Sequence, residues 1–205
     1  MKVAIIGGTG PFGRGLAARL HAAGDEVTIG SRDAEKAKAL AAELGVEGDA
    51  NEAAVAGVEL AVLAVNADAA LETVSALTGA LGTTPLLSVA SELAFGADGA
   101  SPGAEGPSLA ERIAGVVDAP VAAGLHSVAA RNLGEEPPEE DAFVCGDDAR
   151  AKELALELAS HVVAGRALDV GPLAAARALE GLTAVIVNLN RGYKAHTGIR
   201  VTGLR

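Results

Sequence analysis

The sequence predicts an α/β fold in which a doubly wound parallel sheet is covered by helices on both faces. Apolar runs of strand length alternate with helical patterns along most of the 205 residues. The first run, 2–6, ends in glycines and leads directly into a helical pattern. A later run, 60–65, is apolar throughout, which is typical of a central strand that is buried on both faces. Such an alternation favours parallel strands joined by helical crossovers.

The first predicted strand leads into the spacing Gly8-x-Gly10-x-x-Gly13, the glycine pattern of dinucleotide-binding turns. Gly8 lets the main chain turn sharply, Gly10 leaves room for a pyrophosphate, and Gly13 lets the helix pack close to the strand. Pro11 suits the first helical turn, where no N–H is needed. The free N–H groups that begin this helix would face the phosphate. A tight turn that binds nothing is the alternative, but the strand–turn–helix context favours a nucleotide.

The composition limits the classes of function. Half of the residues are apolar but only 2% are aromatic, so the core must be built from Ala, Val, Leu and Ile. A net charge of −11 argues against nucleic-acid binding. Cys145 is the only cysteine, which excludes an intramolecular disulfide and makes a reducing cytoplasmic compartment the expected location. We find neither a signal peptide nor an uninterrupted apolar run long enough to cross a bilayer.

The residues after the second predicted strand should select between NAD and NADP. NAD-binding folds place an acidic residue about twenty positions after the glycines, whereas an arginine there accommodates the 2′-phosphate of NADP. Here Ser31 and Arg32 follow the strand, and Lys36 lies about one helical turn further on. A hydroxyl, a guanidinium and an ammonium group can bind a phosphate together, which favours NADP. The alternatives are a solvated helix face, or contact between Asp33 and an NAD ribose.

Two further strand ends should border the ligand crevice, because ligands of parallel sheets bind at the carboxyl ends of the strands. The end of the fourth strand and the helix after it are predicted to line the cofactor through Val65, Asn66 and Ala69. A strand predicted at 120–125 ends at His126 and Ser127. This polar pair would contact the nicotinamide amide or a second substrate. The alternative is a hydrogen-bonded structural histidine.

Six predicted strands form a Rossmann-type dinucleotide-binding domain over residues 1–125. The remaining residues, 126–205, are expected to form a small C-terminal α/β appendage that packs on the crevice, on a partner subunit or on both. The Gly- and Pro-rich segment 95–107 predicts a mobile surface loop. The acidic segment 135–141 predicts an irregular, solvated loop. A long helix is predicted for 173–190.

The sequence shows no obvious catalytic dyad and no metal site. No nucleophile is paired with a base, and no histidine has metal-ligand spacing with another His, Cys or carboxylate. Cys145, in a strand-like segment, is interpreted as a buried, inert thiol. The C-terminal segment has no acidic residue after Glu180, whereas four basic ones follow: Arg191, Lys194, Arg200 and Arg205. In a chain of net charge −11 this suggests an anionic ligand, with an interface or a frayed basic end as the alternatives.

Six segments, taken in order, resemble the NADPH-dependent F420 reductases (F420H2:NADP oxidoreductases) over nearly the whole chain. They are 7–10 with Gly13, 30–32 with Lys36, 125–128, 144–148, 168–173 and 198–200. The stretches Cys-Gly-Asp-Asp and Leu-Asp-Val-Gly-Pro-Leu are the more specific ones. The chain departs from the family at 65–67, where Val-Asn-Ala stands in place of a frequent Ile-Pro-Trp.

The resemblance implies reversible hydride transfer between C5 of the deazaflavin F420 and C4 of the NADP nicotinamide. The two cofactors carry this reaction, so no catalytic side chain is expected. The pyrophosphate would be held by Thr9, Gly10, Pro11 and Phe12, and the 2′-phosphate by Ser31, Arg32 and Lys36. The stacked rings would lie near His126, Ser127, Val128 and Ala130, and the deazaflavin pocket would be closed by Gly198 and Ile199. A homodimer or larger homo-oligomer is also implied.

Two other functions remain open at this point. An NADPH-dependent reductase of a small carbonyl or imine would need a proton donor beside the nicotinamide, for which His126 is the best candidate. The second alternative is an NADP-binding module without catalysis, acting as a sensor or a subunit.

Overall fold

The computed structural model describes residues 1–103, 105–134 and 136–204. Its strands are β1 (Lys2–Ile6), β2 (Glu26–Ser31), β3 (Glu47–Ala50), β4 (Leu60–Leu63), β5 (Leu86–Ser88), β6 (Leu93–Gly96), β7 (Gly99–Pro102), β8 (Val121–Gly124), β9 (Ala142–Gly146) and β10 (Ala167–Asp169). Its α-helices are α1 (Pro11–Ala22), α2 (Ala34–Leu44), α3 (Asn51–Ala54), α4 (Ala67–Leu81), α5 (Leu109–Ala114), α6 (Ala149–Val162) and α7 (Ala176–Tyr193). Short 3₁₀ turns cover Ala130–Asn132 and Leu173–Ala175.

Eight strands form one sheet in the order β3-β2-β1-β4-β5-β8-β9-β10. The first six are parallel neighbours, in the 3-2-1-4-5-6 order of dinucleotide-binding folds. The predicted α/β class is therefore confirmed. Strand β9 runs antiparallel to β8, and β10 is parallel to β9, so residues after 125 extend the same sheet. The chain returns from β8 to β9 without a helical crossover, which makes this pair antiparallel.

Both faces of the sheet are covered, as a doubly wound fold requires. Along β1, Val3 and Ile5 point into one apolar layer, whereas Ala4 and Ile6 point into the other. Helices α1, α2 and α6 pack on the first layer, and α3, α4, α5 and α7 pack on the second. The alternation follows from the two-residue period of a strand, and with both faces covered the strand ends remain accessible to a ligand.

The prediction of an irregular loop at 95–107 is wrong for its first half. Strands β6 and β7 pair as an antiparallel hairpin. The hairpin is held on α7 by the side-chain amide of Asn188, which donates to the Ala100 carbonyl at 2.7 Å and accepts from the Ala100 N–H at 2.8 Å. The pairing of the two strands is local, through the turn at Ala97 and Asp98, whereas the contact that fixes the hairpin on α7 is distant in sequence.

The acidic loop is irregular, as predicted, but the prediction that it is solvated is wrong for its last two residues, because Glu140 and Asp141 are buried and Asp141 pairs with Arg166. Residues 136–141 contain neither helix nor strand. The predicted helix at 173–190 begins as a 3₁₀ turn and continues as α7. Glu135 of the acidic loop and Arg205 of the basic tail lie outside the described residues. None of the helices in the described part of the chain is long and apolar enough to span a membrane.

Candidate active site

Two neighbouring cavities open where the parallel strands end. The first, of about 500 Å³, surrounds the turn after β1 and is called the glycine-turn cavity. The second, of about 370 Å³, lies beside the ends of β5 and β8 and is called the central cavity. Val65 and Asn66 line both cavities. An elongated molecule can therefore extend from one cavity into the other.

Of the three glycines of the turn, two allow close packing of the helix on the strand and one leaves the main chain accessible to a ligand. A Cβ on Gly13 would lie 2.5 Å from the Cα of Gly8, so these two residues serve the close packing of α1 on β1. A Cβ on Gly10 would meet nothing closer than 3.8 Å. Gly10 lines the glycine-turn cavity together with Thr9 and Gly7. Packing within the protein therefore does not require a glycine at position 10. The lack of a side chain there instead lets a ligand approach the main chain, which fits the pyrophosphate of a dinucleotide.

The start of α1 is arranged for an anion. Its N-cap, Gly10, provides no side-chain cap, and no acidic residue lies in the first turn. The unpaired N–H groups there, with the positive end of the helix dipole, attract a phosphate. Phe12, which the resemblance assigned to the pyrophosphate, instead lines the central cavity. It faces that cavity because it lies one turn further along the chain than Thr9 and Gly10.

Ser31, Arg32 and Lys36 meet on the wall of the glycine-turn cavity, as predicted from their spacing. Neither cationic side chain forms an ion pair with a residue that the structure describes. Asp33 caps α2, because its Oδ1 accepts the N–H groups of Glu35 and Lys36, each at 3.1 Å. The hydroxyl of Ser31 accepts the Asp33 N–H at 3.1 Å and keeps its own hydrogen free to donate. This donor set suits a phosphate.

Two residues of the glycine-turn cavity were not foreseen. Asn51 begins α3 directly after β3, and its Oδ1 accepts the Gly7 N–H at 3.3 Å. Thr73 lies one helical turn beyond the predicted Ala69, and both residues line the cavity. The rule that selected Asn66, a polar residue at a strand end, would also have found Asn51. Helical spacing from Ala69 would have found Thr73.

The central cavity is shaped by a strained turn after β8. Leu125 has φ +63°, a left-handed conformation that is unfavourable for a residue with a branched side chain. The turn is held by hydrogen bonds from the Leu125 N–H to the Phe143 carbonyl and from the Val128 N–H to the Leu125 carbonyl. Such strain concentrates at ligand sites. It places the predicted residues His126, Ser127, Val128 and Ala130 on the cavity wall.

His126 is a buried histidine whose ring lies near the Ala90 carbonyl on the wall of the central cavity. Its residue is 4% exposed, and neither ring nitrogen meets a hydrogen-bond partner of normal geometry among the described residues. Burial lowers the pKa of His126 to about 4, although the nearby Ala90 carbonyl favours the protonated form. The ring is thus neutral near pH 7, with one donor and one acceptor. Orphaned buried polar atoms on a cavity wall fit a ligand that supplies their hydrogen bonds.

Helix α7 forms a second wall of the central cavity, which sequence reasoning did not assign. Thr183, Val187 and Asn190 lie along one face of this helix and line the cavity, as does Ile186. Thr183 donates its hydroxyl hydrogen to the His126 carbonyl at 2.9 Å. Ser91, which follows β5, lies 2.7 Å from the Thr183 hydroxyl and must therefore donate to it. The i, i+4, i+7 spacing of the helix residues was the available signal.

Gly198 and Ile199 lie against the loop before β9, which differs from their expected place at the deazaflavin pocket. A Cβ on Gly198 would meet the Glu140 carboxyl group at 2.5 Å. The Asp141 N–H donates to the Ile199 carbonyl at 2.7 Å, and the Asp141 carboxylate accepts the Val201 N–H at 2.8 Å. These bonds hold Gly198 and Ile199 on the loop, and neither residue lines the central cavity.

Cys145 is separate from both cavity linings. It lies fully buried in β9. Burial raises the pKa of its thiol to about 11. The thiolate, which is the reactive form, is therefore scarce near pH 7. The structure agrees with the interpretation of an inert thiol.

The strand order, the glycine turn and the crevice at the carboxyl ends define a dinucleotide-binding protein of the Rossmann type. A family model described as "NADP oxidoreductase coenzyme F420-dependent" matches residues 2–92. The chain is 36% identical to the F420-dependent NADP reductase of Methanothermobacter thermautotrophicus, across 100% of this chain and 96% of that protein. It is 32% identical to the protein of the same name from Methanocaldococcus jannaschii, across 100% and 99% of the two chains. The chain therefore belongs to the F420-dependent NADP reductase family, as the resemblance predicted.

Solved structures agree with this membership. A crystal structure from Arthrobacter sp. FB24, provisionally designated an F420-dependent NADP reductase, has a TM-score of 0.85 and 28% identity. The match covers 99% of this chain and 100% of that one. An imine reductase from Streptomyces aurantiacus has a TM-score of 0.62 at 24% identity, over 95% of this chain and 62% of that one. That second likeness concerns the fold alone.

Proposed function

We propose that the protein transfers a hydride reversibly between reduced coenzyme F420 and NADP. The observation that carries the proposal is that two cavities share Val65 and Asn66 in their walls and so lie side by side. One cavity presents the glycine turn and unpaired cations, and the other is largely apolar with one neutral histidine. This arrangement supports one dinucleotide whose nicotinamide reaches the central cavity beside a second, flat ring.

The glycine-turn cavity would hold the phosphates of NADP. The first-turn N–H groups of α1 would bind the pyrophosphate beside Thr9 and Gly10. Arg32 and Lys36, with the Ser31 hydroxyl, would bind the 2′-phosphate. Asp33 caps α2 through its Oδ1 alone, which leaves Oδ2 able to accept a hydrogen bond from a ribose hydroxyl. The cation-rich donor set supports NADP over NAD.

The central cavity would position the two rings. When both carriers are bound, they supply the redox chemistry themselves, by passing a hydride between C5 of the deazaflavin and C4 of the nicotinamide. The apolar side chains of Phe12, Val128 and Ile186 would exclude water from the rings. The neutral ring of His126 can donate and accept one hydrogen bond each, and so orient a polar ring edge. Positioning two reactants in this way accounts for most of what the chemistry needs.

The burial of His126 argues against the alternative function, a carbonyl or imine reductase that uses this histidine as its acid. With a pKa of about 4, only on the order of one His126 ring in a thousand carries a proton at pH 7. A general acid works best with a pKa near the operating pH. His126 therefore serves better as a neutral hydrogen-bonding group than as a proton donor.

A spectroscopic assay tests the proposal. The protein is mixed with NADPH and oxidised F420, and loss of the deazaflavin absorbance is followed from pH 5 to pH 9. Turnover at a rate proportional to enzyme is expected. Absence of turnover across that range, with NADPH binding intact by calorimetry, would contradict hydride exchange and favour the binding module. NADPH oxidation with a cyclic imine in place of F420 would favour the other reductase.

The proposal includes a cytoplasmic homodimer. Val185, Leu189 and Tyr193 form a stripe at four-residue spacing on α7, exposed by 50%, 37% and 78%. An exposed apolar stripe on an amphipathic helix is typical of an interface, and a second copy would cover it. A free buried cysteine needs no oxidising compartment. Light scattering should give a molar mass of two chains for the wild type. For the Leu189→Asp variant, the molar mass should fall toward that of one chain. A monomeric wild type would contradict the dimer.

A further inference from the structure

We propose that a third cavity, beside the central one, is an anion subsite that binds the phosphate and glutamyl carboxylates in the tail of F420. This inference rests on the proposed function, because it names the part of that substrate which a further set of residues would recognise. The cavity measures about 450 Å³ and is called the basic cavity. Two cationic side chains, Arg131 and Lys194, line it together with His196, and it shares Ala129, Ala130 and Asn190 with the central cavity.

The three cavities are arranged in a row. The glycine-turn cavity meets the central cavity at Val65 and Asn66, whereas the basic cavity meets it at Ala129 and Ala130. Two carriers whose rings meet in the central cavity would therefore extend in different directions. The phosphates of NADP would lie at the glycine turn, and the tail of the deazaflavin would pass Ala130 into the basic cavity. This separation keeps two highly charged anions apart.

The cations of the basic cavity are not neutralised by the protein. Arg131, Lys194 and His196 are exposed, and none forms an ion pair or side-chain hydrogen bond within residues 1–103, 105–134 and 136–204. Other cations nearby are engaged, since Arg166 pairs with Asp141 and Arg200 contacts Glu139. In a chain of net charge −11, uncompensated cations around a concave surface favour an anionic ligand.

The segment that carries Lys194 and His196 is fixed in place before any ligand arrives. Lys194 has φ +51°, which ends α7 and turns the chain back over the cavity. The Asn190 side chain accepts the N–H of Thr197 at 2.7 Å and its hydroxyl at 2.9 Å, so it pins the turn. Because Asn190 also lines both cavities, ring site and anion site share one rigid element. A preorganised site loses less entropy on binding.

The chemistry of the tail matches this donor set. The tail of F420 begins with a phosphodiester and continues with γ-linked glutamates, so it presents several negative charges in a row. The Arg131 guanidinium suits bidentate binding of a phosphate or carboxylate, whereas the Lys194 ammonium acts as a mobile point charge. The deazaflavin ring and its ribityl chain contain none of these anionic groups. The subsite should therefore distinguish F420 from its tail-less precursor F0.

The test compares F420 with F0 in steady-state kinetics with saturating NADPH. In the wild type, we expect the KM for F0 to exceed that for F420 by about tenfold at low salt, and the gap to narrow at high salt. Arg131→Gln and Lys194→Gln should each move the ratio of the two KM values toward one. Arg191→Gln is the matched control, because it removes the same charge from the same region outside the cavity lining, and it should keep the wild-type ratio.

Calorimetric titration of F420 and F0 into each variant gives a readout that is independent of turnover, and thermal melts verify folding. A wild type that turns over both carriers with equal KM, or variants that keep the wild-type ratio, would overturn the anion subsite and leave hydride exchange standing. A wild type that neither binds nor reduces either carrier would overturn the proposed function, and the subsite with it.

Discussion

Thr183 donates its hydroxyl hydrogen to the main-chain carbonyl of His126 at 2.9 Å, and it accepts a hydrogen bond from Ser91 at 2.7 Å. This one side chain thereby joins α7 to the segments that follow β5 and β8. Those segments come from different strands, and both line the central cavity. The position of the cavity wall thus depends on a contact between residues that are far apart in sequence.

Replacing Thr183 with Val should weaken both the fold and the site. Valine keeps the shape but removes both hydrogen bonds, and because these contacts are only partly buried, the loss should be about 0.5–1.5 kcal/mol for each bond. Urea unfolding should show a lower midpoint with an unchanged m-value, and the KM for F420 should rise. Thr183→Ser keeps the hydroxyl and is the control. A larger loss in Thr183→Ser than in Thr183→Val would show that the methyl group matters more than the hydrogen bonds.

Replacing Arg32 with Gln should change cofactor preference. A charge-assisted hydrogen bond to the 2′-phosphate contributes about 1.5–3 kcal/mol, so the Kd for NADPH should rise by roughly ten- to a hundredfold. The Kd for NADH, which lacks this phosphate, should change little. Arg14→Gln is a matched control, because Arg14 is an exposed cation that pairs with Glu43. Parallel losses for NADPH and NADH would contradict a 2′-phosphate site at Arg32.

Replacing His126 with Gln should alter the pH dependence of stability. The folded protein lowers the pKa of His126 to about 4 from its ordinary 6.5, so between these values the unfolded chain binds the extra proton. The free energy of unfolding is therefore not reduced by His126 above pH 6.5. As the pH falls from 6.5 toward 4, protonation of this histidine in the unfolded chain lowers the free energy of unfolding by at most about 3 kcal/mol. His126→Gln carries no titrating group and should remove that part of the slope.

The comparison must be made as a difference between variant and wild type, because Glu140 titrates in the opposite sense. Burial raises the pKa of Glu140, so its folded form favours the protonated state and gains stability as the pH falls. Urea unfolding of both proteins at several pH values from 4 to 7 isolates the histidine contribution. Parallel pH curves for the two proteins would show that the His126 pKa is not lowered.

The sequence predicted those parts of the fold whose signals are local. The glycine spacing identified the β1–α1 turn, and the uninterrupted apolar run at 60–65 identified a central strand. The meeting of two cationic side chains on the wall of the glycine-turn cavity was also predictable, because Arg32 and Lys36 follow a strand end at helical spacing. The antiparallel return of β9 was not predicted, since it depends on the irregular connection before Ala142, which has no periodic pattern.

The site residues that sequence reasoning missed depend on tertiary packing. Helix α7 was predicted, but which of its faces meets the cavity is decided by its contacts with β7 and with the turn after β8. The spacing of Thr183 and Asn190 places them on one face of α7, but no local signal shows that this face meets the cavity. Gly198 and Ile199 do not line the central cavity, because Asp141 holds this part of the tail through a hydrogen bond that crosses about sixty residues of sequence. Polar contacts of such long range lie outside any window of sequence pattern.

Substituting alanine at two glycines of the same turn should separate binding from folding. A Cβ on Gly10 would have no atom closer than 3.8 Å, and the φ of −77° at this position suits any residue. The free energy of unfolding of Gly10→Ala should therefore lie within about 0.5 kcal/mol of the wild-type value. Its methyl group would occupy the place of the pyrophosphate, so the Kd for NADPH should rise at least about tenfold, or about 1.4 kcal/mol.

Gly13→Ala should show the reverse pattern. Its Cβ would lie 2.5 Å from the Cα of Gly8, and because that atom belongs to the main chain, α1 must move away from β1. Overpacking of this kind typically costs about 1–3 kcal/mol, which urea unfolding would detect as a lower midpoint. Calorimetry with NADPH completes the pair. If both variants lost binding and stability in equal proportion, the turn would act through packing alone, and the phosphate role of the bare main chain at Gly10 would be wrong.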